Sequence, residues 1–281
     1  MAPTDQRGVG PLRAPAYWKQ ATHLLQAPAM RAIIIAAGRG RRLMPTTADA
    51  PKCYAEVAGK RLIDWSLKAL TDCGIREVCF IGGYRIERVR ADYPQFTFRH
   101  NTDWQNNNIL ASLMCAEDLM SGPFLCTYSD VLFTADVVAG TLANPADIVL
   151  SVDTSWLDRY QHRHEHPPTD AEKVTAVAGR VTRVHRGIDP AEAYGEFTGI
   201  AKFTAVGAMQ LRQHYHRCRR RYAGTSFREA TVFEKAYLIH LLQEMIEADV
   251  AMAHADTAGN YLEVDTQEDY ELARRQWQAS V

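Results

Sequence analysis

Short apolar runs alternate with helix-like patterns along the first half of the chain. Residues 32–36 are apolar and partly β-branched and precede Gly38 and Gly40, which predicts a buried strand ending in a glycine turn. Residues 62–72 carry apolar side chains at helical spacing, and a glycine follows them. Because strands and helices alternate, the pattern indicates an α/β fold with a mixed, mostly parallel sheet that helices cover on both faces. The further predicted elements of this half are strands at 78–81, 124–128 and 147–152 and a helix at 110–119.

The pattern changes in the second half. Two β-branched runs, 174–178 and 181–184, flank Gly179-Arg180, which predicts a hairpin that turns at these two residues. We therefore expect a small antiparallel insertion at about residues 154–200, where an acceptor could bind. The remaining predicted elements are strands at 197–203, 250–254 and 261–264 and helices at 233–246 and 269–278.

Composition narrows the class of protein. The chain has 281 residues, 47% hydrophobic and 23% charged, as in ordinary globular proteins. A net charge of -1 argues against a nucleic-acid binder, and no apolar run approaches the roughly 20 residues of a membrane span. Six cysteines without a CxxC pair, and an N-terminus without an apolar signal core, favour reduced thiols and a cytoplasmic location. Residues 1–29 are predicted to be an N-terminal extension of a domain formed by residues 30–281.

The strongest candidate site is the glycine turn after the first strand. Gly38 and Gly40 let the backbone approach a polyphosphate, and Arg41 and Arg42 follow immediately. Lys52 comes after a polar stretch and adds a point charge. A dinucleotide-binding turn would need a third glycine where leucine stands here, and no P-loop string occurs. The plain alternative is a glycine turn with solvated arginines.

Acidic residues follow two other predicted strands. Asp130 ends one strand, and Asp265 follows another with Glu263 two residues before it. Ligands of open α/β sheets bind at the carboxyl ends of strands, and Mg²⁺ takes one or two carboxylates plus phosphate oxygens. The alternative for each acid is a helix cap or a surface charge. Asn108, just before a predicted helix, is by itself most simply an N-cap.

These segments together resemble a known family. The string A-A-G-x-G-x-R-L-x-P, followed by P-K, resembles the signature of the sugar-phosphate and phosphocholine nucleotidyltransferases. N-I-L-A-S-L is similar to the N-x-x-x-S-L segment of their cytidylyltransferase branch, which includes bacterial phosphocholine and phosphonate cytidylyltransferases. Arg41 departs from the signature, where threonine or serine is usual. The resemblance covers about residues 30–275 and implies a Rossmann-like three-layer α/β/α nucleotidyltransferase fold, with CTP and Mg²⁺ as ligands.

The resemblance also implies a role for particular residues. Arg42 and Lys52 are expected to be catalytic, and Asp130 and Asp265 to bind Mg²⁺. The acceptor is expected to contact Lys202, Glu263 and His240. The residues expected to bind the nucleotide are Ala37, Gly38, Gly40, Arg41, Asn108 and Ser112.

The function predicted from the sequence is transfer of CMP from CTP to a small phosphonate, with release of pyrophosphate. The basic loop of residues 162–166, H-R-H-E-H with Arg163 between histidines, could touch an anionic acceptor, although a solvated loop is the simpler interpretation. His240 and this loop argue against a quaternary amine on the acceptor. The alternatives are a phosphocholine cytidylyltransferase, a sugar-1-phosphate nucleotidyltransferase using UTP or dTTP, and a nucleotide-binding protein without catalysis. A nucleic-acid module at the basic run 212–222 is a further alternative, but a polar helix face is the commoner structure for such a run. Neither nucleic acid nor membrane is expected as a partner, and enzymes of this family often form homodimers.

Overall fold

The computed structural model describes residues 29–161 and 163–277. The predicted extension therefore lies outside the described residues apart from its last position, and its boundary stays a prediction. The strands are β1 (Arg31–Ala36), β2 (Glu56–Val57), β3 (Lys60–Arg61), β4 (Glu77–Gly82), β5 (Thr97–His100), β6 (Phe124–Tyr128), β7 (Val131–Phe133), β8 (Ile148–Asp153), β9 (Lys173–Val177), β10 (Arg180–Val184), β11 (Gly195–Phe203), β12 (Ala253–Thr257) and β13 (Tyr261–Glu263).

The α-helices of the described residues lie between or after these strands. They are α1 (Leu62–Asp72), α2 (Ile86–Asp92), α3 (Ile109–Met114), α4 (Ala135–Ala143), α5 (Trp156–Tyr160), α6 (Ala205–Tyr222), α7 (Leu238–Glu247) and α8 (Gln267–Gln276). Helix α8 begins with a capping box in which Thr266 and Asp269 bond to each other's backbone N–H groups. Among the described helices, none has the length and apolar character needed to cross a membrane.

Nine strands form one mixed sheet in the order β5-β4-β1-β6-β11-β8-β12-β10-β9. Strands β10 and β11 run opposite to the other seven, so most of the sheet has a common direction. The carboxyl ends of β1 and β6 consequently lie at one edge of the sheet, where ligands of such folds bind. This sheet confirms the predicted α/β class.

Helices cover both faces of the sheet. In β1, Ile33 and Ile35 belong to one buried apolar cluster, whereas Ala32 and Ile34 belong to another, as the alternation of a strand requires. Helices α3, α6 and α7 pack on the first cluster, and α1, α2 and α4 pack on the second. The three-layer α/β/α arrangement follows from this division.

Three predicted elements differ clearly from the structure. The helix predicted over 110–119 ends at Met114 and is followed by a separate 3₁₀ turn, Glu117–Leu119. The hairpin of β9 and β10 turns at Ala178-Gly179, one residue earlier than expected, because both residues adopt positive φ angles of 50° and 80°. A two-residue turn of this kind matches the twist of the strands. The helix predicted over 233–246 is instead a short 3₁₀ turn, Phe233–Lys235, followed by α7. The chain is extended at Ala236 and Tyr237, which separates the two pieces.

Candidate active site

A cleft of about 660 Å³ opens at the carboxyl ends of β1 and β6. The end of β1 and the glycine turn line one part, and Ser129 and Asp130 line the part after β6. Asp265 follows β13, which pairs with β7 and so comes to the same place. The cleft therefore contains the expected phosphate-binding turn and both expected metal ligands. The expected nucleotide-binding residues that line the cleft are Ala37, Gly38, Gly40, Arg41, Asn108 and Ser112.

The glycine turn lies directly against the lysine. Gly40 has a φ of +69°, and a Cβ built on it would lie 2.9 Å from side-chain carbons of Lys52. Lys52 begins a short 3₁₀ turn after Pro51 and is buried. Because only glycine fits this conformation and this spacing without strain, the turn fixes where the lysine side chain runs.

Lys52 lies between the two expected metal ligands. Its Nζ atom is 2.7 Å from Oδ2 of Asp130 and 2.5 Å from Oδ1 of Asp265. Arg42 also pairs with Asp265, and its side chain is 56% exposed at the mouth of the cleft. The structure thus brings together four residues that the sequence placed in the centre of the site. The two carboxylates are close enough to contact one cation together, as they do with the ammonium group.

The opposite charges in this cluster favour each other's charged forms. Burial by itself would lower the pKa of Lys52, but the flanking carboxylates raise the pKa above its ordinary value, so the ammonium stays charged. Burial would raise the pKa of Asp265, but the positive charges of Lys52 and Arg42 lower it. Burial and the neighbouring Asp265 raise the pKa of Glu263. Because burial disfavours the charged form of Glu263, a cation bound beside it would stabilise that carboxylate.

The donor set suits a divalent cation. One ligand atom each from His166, Glu263 and Asp265 lies within 4.8 Å of the others. Asp130 and Asp265 both contact the ammonium group of Lys52. Carboxylate oxygens are the ligands that Mg²⁺ prefers in proteins. The residues present therefore fit the predicted Mg²⁺, with Glu263 as an additional ligand candidate.

An arginine of the insertion positions this acidic segment. Arg163 donates from Nε to Oδ1 of Asp269 at 2.6 Å and from Nη2 to Oε2 of Glu263 at 3.1 Å. Asp269 in turn accepts a hydrogen bond from the backbone N–H of Asp265 at 3.1 Å. The sequence placed Arg163 only in a basic loop that could touch the acceptor. Its partners are instead acids of the protein itself.

Asn108 and Ser112, which were expected to bind the nucleotide, line the cleft, and each also has a structural role. Oδ1 of Asn108 accepts from the N–H of Ile109 at 2.9 Å, so it caps α3. Oγ of Ser112 accepts from Nδ2 of Asn101 at 2.9 Å, and that Nδ2 also donates to Asn107 at 2.7 Å. Asn107 lines the cleft as well. The sequence analysis did not single out Asn101, whose buried amide links these two cleft residues.

Two expected acceptor-binding residues do not line the cleft. The ammonium of Lys202, which is buried on β11, donates to the backbone oxygen of Asn144. His240 lies behind Tyr237, whose N–H donates to Nδ1 of His240 at 3.3 Å. Tyr237 itself lines the cleft. The structure thus corrects the expected placement of Lys202 and His240. Glu263, the third residue expected to contact the acceptor, does line the cleft. His162 of the basic loop lies outside the described residues.

The basic run of residues 212–222 forms part of α6. Arg212 and His216 both pair with Glu117, at 3.2 and 2.6 Å, and Arg217 pairs with Glu244 at 3.4 Å. Acids of the same chain therefore neutralise part of this run. The polar helix face that the sequence favoured is the structure that forms.

Residues of the insertion complete the cleft. Glu172, Arg186 and Glu196 line it together with Tyr237. The sequence analysis named none of the three charged residues as candidates, because each stands just outside a predicted strand. Only the position of the insertion indicated that an acceptor could bind here.

Residues 32–200 match the MobA-like NTP transferase domain. The chain belongs to this family. The predicted nucleotidyltransferase class of enzyme is therefore confirmed.

Relatives of this MobA-like NTP transferase include several cytidylyltransferases. It is 28% identical to a CTP:phosphoglutamine cytidylyltransferase of Campylobacter jejuni over 256 residues, which are 86% of this chain and 98% of the relative. It is 31% identical to a 2-aminoethylphosphonate cytidylyltransferase of Lancefieldella rimae over 34% of this chain and 41% of that one. These similarities support the predicted cytidylyltransferase branch.

Solved structures agree with the fold. A CTP:phosphocholine cytidylyltransferase from Streptococcus pneumoniae superposes with a TM-score of 0.68 at 18% identity, covering 89% of this chain and all of that one (100%). An inositol-1-phosphate CTP transferase from T. maritima has a TM-score of 0.67 at 22% identity, covering 91% and 100%. The Rossmann-like nucleotidyltransferase fold is thereby confirmed.

Proposed function

We propose that this protein transfers CMP from CTP to a small acceptor that carries an ionised phosphoryl group, with release of pyrophosphate. The observation that carries the proposal is the cluster of Lys52 between Asp130 and Asp265 beside a glycine turn. The C. jejuni relative that this chain matches over 98% of its length uses CTP, which supports the same conclusion. The other half of the cleft comes from the insertion and has room for a second substrate.

The chemistry follows from the charges. An oxygen of the acceptor's phosphoryl group is already ionised at neutral pH and needs no general base. It forms a bond to the α-phosphorus of CTP, the bond from that phosphorus to the bridging oxygen of the β-phosphate breaks, and pyrophosphate leaves with the electron pair. Arg42 and Lys52 neutralise the charge that develops on the triphosphate, so catalysis consists of positioning and electrostatic stabilisation.

Asp130 and Asp265 would hold the Mg²⁺, with Glu263 as a further ligand. When bound, Mg²⁺ supplies positive charge to the phosphate oxygens. Arg163 keeps the segment that carries Glu263 and Asp265 in place through its two ion pairs.

The acceptor is a phosphonate, a phosphate monoester or a phosphoramidate. A phosphonate was favoured from the sequence partly because His240 was expected in the acceptor site. Since His240 lies behind Tyr237, it gives no reason to exclude an amine-bearing acceptor. The relatives act on phosphoglutamine and 2-aminoethylphosphonate, and these compounds stand first among the candidates.

Pyrophosphate release with Mg²⁺ tests the proposal. CTP, UTP, ATP and dTTP are each combined with phosphoglutamine, 2-aminoethylphosphonate, choline phosphate, a carboxyalkylphosphonate and glucose 1-phosphate. We expect release with CTP and one of the first four acceptors. Release mainly with UTP or dTTP and glucose 1-phosphate would identify a sugar-1-phosphate nucleotidyltransferase instead.

Matched lysine variants show whether the proposed cluster carries the activity. Lys52→Met should lower kcat/KM by about 100-fold or more, because it removes a charge aimed at the reacting phosphates. Lys68→Met removes an exposed lysine of α1 and should change little. Thermal unfolding verifies that both variants fold. CTP binding without pyrophosphate release from any combination would indicate a nucleotide-binding protein that lacks catalysis.

A further inference from the structure

The part of the cleft formed by the insertion holds a pair of opposite charges. Glu172 precedes β9 and Arg186 follows β10, so the hairpin brings its two ends together. Nη2 of Arg186 lies 3.2 Å from Oε1 of Glu172. Both residues line the cleft that also contains Lys52.

Arg186 keeps hydrogen-bonding capacity for an anion. Its Nε atom is buried and has no acceptor among the described residues, although a guanidinium Nε–H normally finds one. The ring of Tyr237 lies 4.0 Å from the guanidinium carbon and holds the plane of the group. A free Nε–H beside an Nη–H is the fork that binds a carboxylate through two parallel hydrogen bonds.

Glu172 keeps capacity for a cation. Its side chain is 9% exposed, and among the described residues Oε2 accepts only from the hydroxyl of Tyr128, at 3.2 Å. A carboxylate offers about four acceptor positions, and Arg186 and Tyr128 use two of them. Burial raises the pKa of Glu172 even with Arg186 beside it, so its charge is incompletely compensated.

The pair lies near the reacting centre. Tyr128 ends β6, and Asp130 stands two residues further on. One tyrosine side chain therefore connects the strand end that carries Asp130 to the carboxylate of Glu172. The pair and Asp130 line the same cleft, as a small acceptor that contacts both would require.

We propose that the acceptor carries an α-amino-acid group at the end remote from its phosphoryl group, with the carboxylate bound by Arg186 and the ammonium bound by Glu172. This inference rests on the proposed function, and it names the class of its second substrate. A quaternary amine without a carboxylate would leave the fork of Arg186 unused.

Three compounds that differ by one group each test the inference. 2-Amino-5-phosphonopentanoate carries both groups, 5-phosphonopentanoate lacks the ammonium, and 4-aminobutylphosphonate lacks the carboxylate. With CTP and Mg²⁺, kcat/KM should fall by about 10-fold or more on loss of either group, since each loses hydrogen bonds to a charged partner. Equal values for the three compounds would overturn the inference and leave the proposed function intact.

Residue variants assign each group to its partner. Glu172→Gln should remove most of the preference for the amino group and leave 5-phosphonopentanoate within about twofold. Arg186→Lys keeps the charge that pairs with Glu172 but loses the fork. It should therefore lower kcat/KM for the two carboxylate-bearing compounds and leave kcat/KM for 4-aminobutylphosphonate nearly unchanged. Arg183→Lys, on the exposed face of the same hairpin, is the matched control. An equal loss with all three compounds in Arg186→Lys would mean that Arg186 binds the phosphoryl group, which contradicts the inference.

Equilibrium binding of the same compounds separates the two proposals. Titration calorimetry in the presence of CTP and Mg²⁺ should show the tightest binding for 2-amino-5-phosphonopentanoate. If this preference appears without pyrophosphate release, the acceptor class stands and the proposed transfer fails. If none of the three compounds binds, the inference is wrong.

Discussion

Gly40 is the single residue on which the path of the Lys52 side chain most depends. In Gly40→Ala the new methyl group lies within 3 Å of that side chain and the backbone keeps a left-handed conformation, which costs about 1–2 kcal/mol. We expect kcat/KM to fall by about 10- to 100-fold, because small displacements of a catalytic group are costly. Gly140→Ala, in α4 with open space around it, is the control and should keep full activity. Unchanged kinetics in Gly40→Ala would contradict the close fit described here.

His240 makes the stability of the protein sensitive to acid. Burial lowers the pKa of His240 to about 4 from an ordinary 6.5, despite the nearby Glu229. Protons then bind the unfolded chain more readily, so the free energy of unfolding falls by up to about 1.4 kcal/mol per pH unit as pH drops from 6.5 towards 4. In His240→Asn this contribution disappears, while the amide oxygen can still accept from the N–H of Tyr237.

Urea unfolding at pH 7.5 and 5.5 checks the role of His240. The loss of stability between the two pH values should be smaller in the variant than in the wild type, since other titrating groups are common to both. Identical losses would show that His240 is not the group responsible.

The placement of individual side chains was predictable where a motif constrained them. Lys52, Asp130 and Asp265 meet as expected, because the carboxyl ends of strands share one edge of a sheet. Lys202, which the resemblance alone assigned to the acceptor, does not reach the cleft, because its ammonium donates to the backbone oxygen of Asn144. The pairing of β11 with β8 shifts between Phe197 and Ala201, where Gly199 adopts a φ of +78°, and a glycine inside a strand is the one sequence signal of such an irregularity.

At the scale of elements, the insertion and the C-terminal helix depend on one buried arginine. Arg163 and Asp269 have side chains that are 6% and 0% exposed. In Arg163→Met the acids lose their buried partner, and we expect the free energy of unfolding to fall by about 3–5 kcal/mol. Denaturant unfolding measures this directly, with Arg274→Met on the exposed face of α8 as the control. A loss below 1 kcal/mol would argue against a positioning role for Arg163.

Elements with strong periodicity were predicted well and short ones poorly. The helix at 62–72 and the strand at 124–128 have the predicted bounds, because both are apolar and well delimited. The break between the 3₁₀ turn at 233–235 and α7 escaped prediction, since neither glycine nor proline marks it. Its cause is tertiary: the N–H of Asn108 donates to the backbone oxygen of Glu234 at 3.1 Å, which holds the turn against α3.

At the scale of the whole molecule, ligand binding and folding should be coupled. The cleft collects residues from β1, β6, the insertion and the segment after β13, so CTP would bind only the assembled fold. At a concentration 100 times its Kd, CTP with Mg²⁺ should stabilise the protein by about 2.7 kcal/mol, a rise in Tm of about 5 °C for a chain of this size. Scanning fluorimetry with and without EDTA measures the rise. A similar rise with ATP at the same concentration would count against CTP as the preferred nucleotide.

Lys52 and Asp265 touch each other although 213 residues separate them in the chain. On the ribosome, the glycine turn and its lysine emerge early, and the sheet can pair β1, β4 and β6 long before the second acid exists. A nascent chain that stops before Asp265 can therefore contain most of the fold without a complete catalytic centre. Synthesis itself then delays activity, because Asp265 is added 213 positions after Lys52.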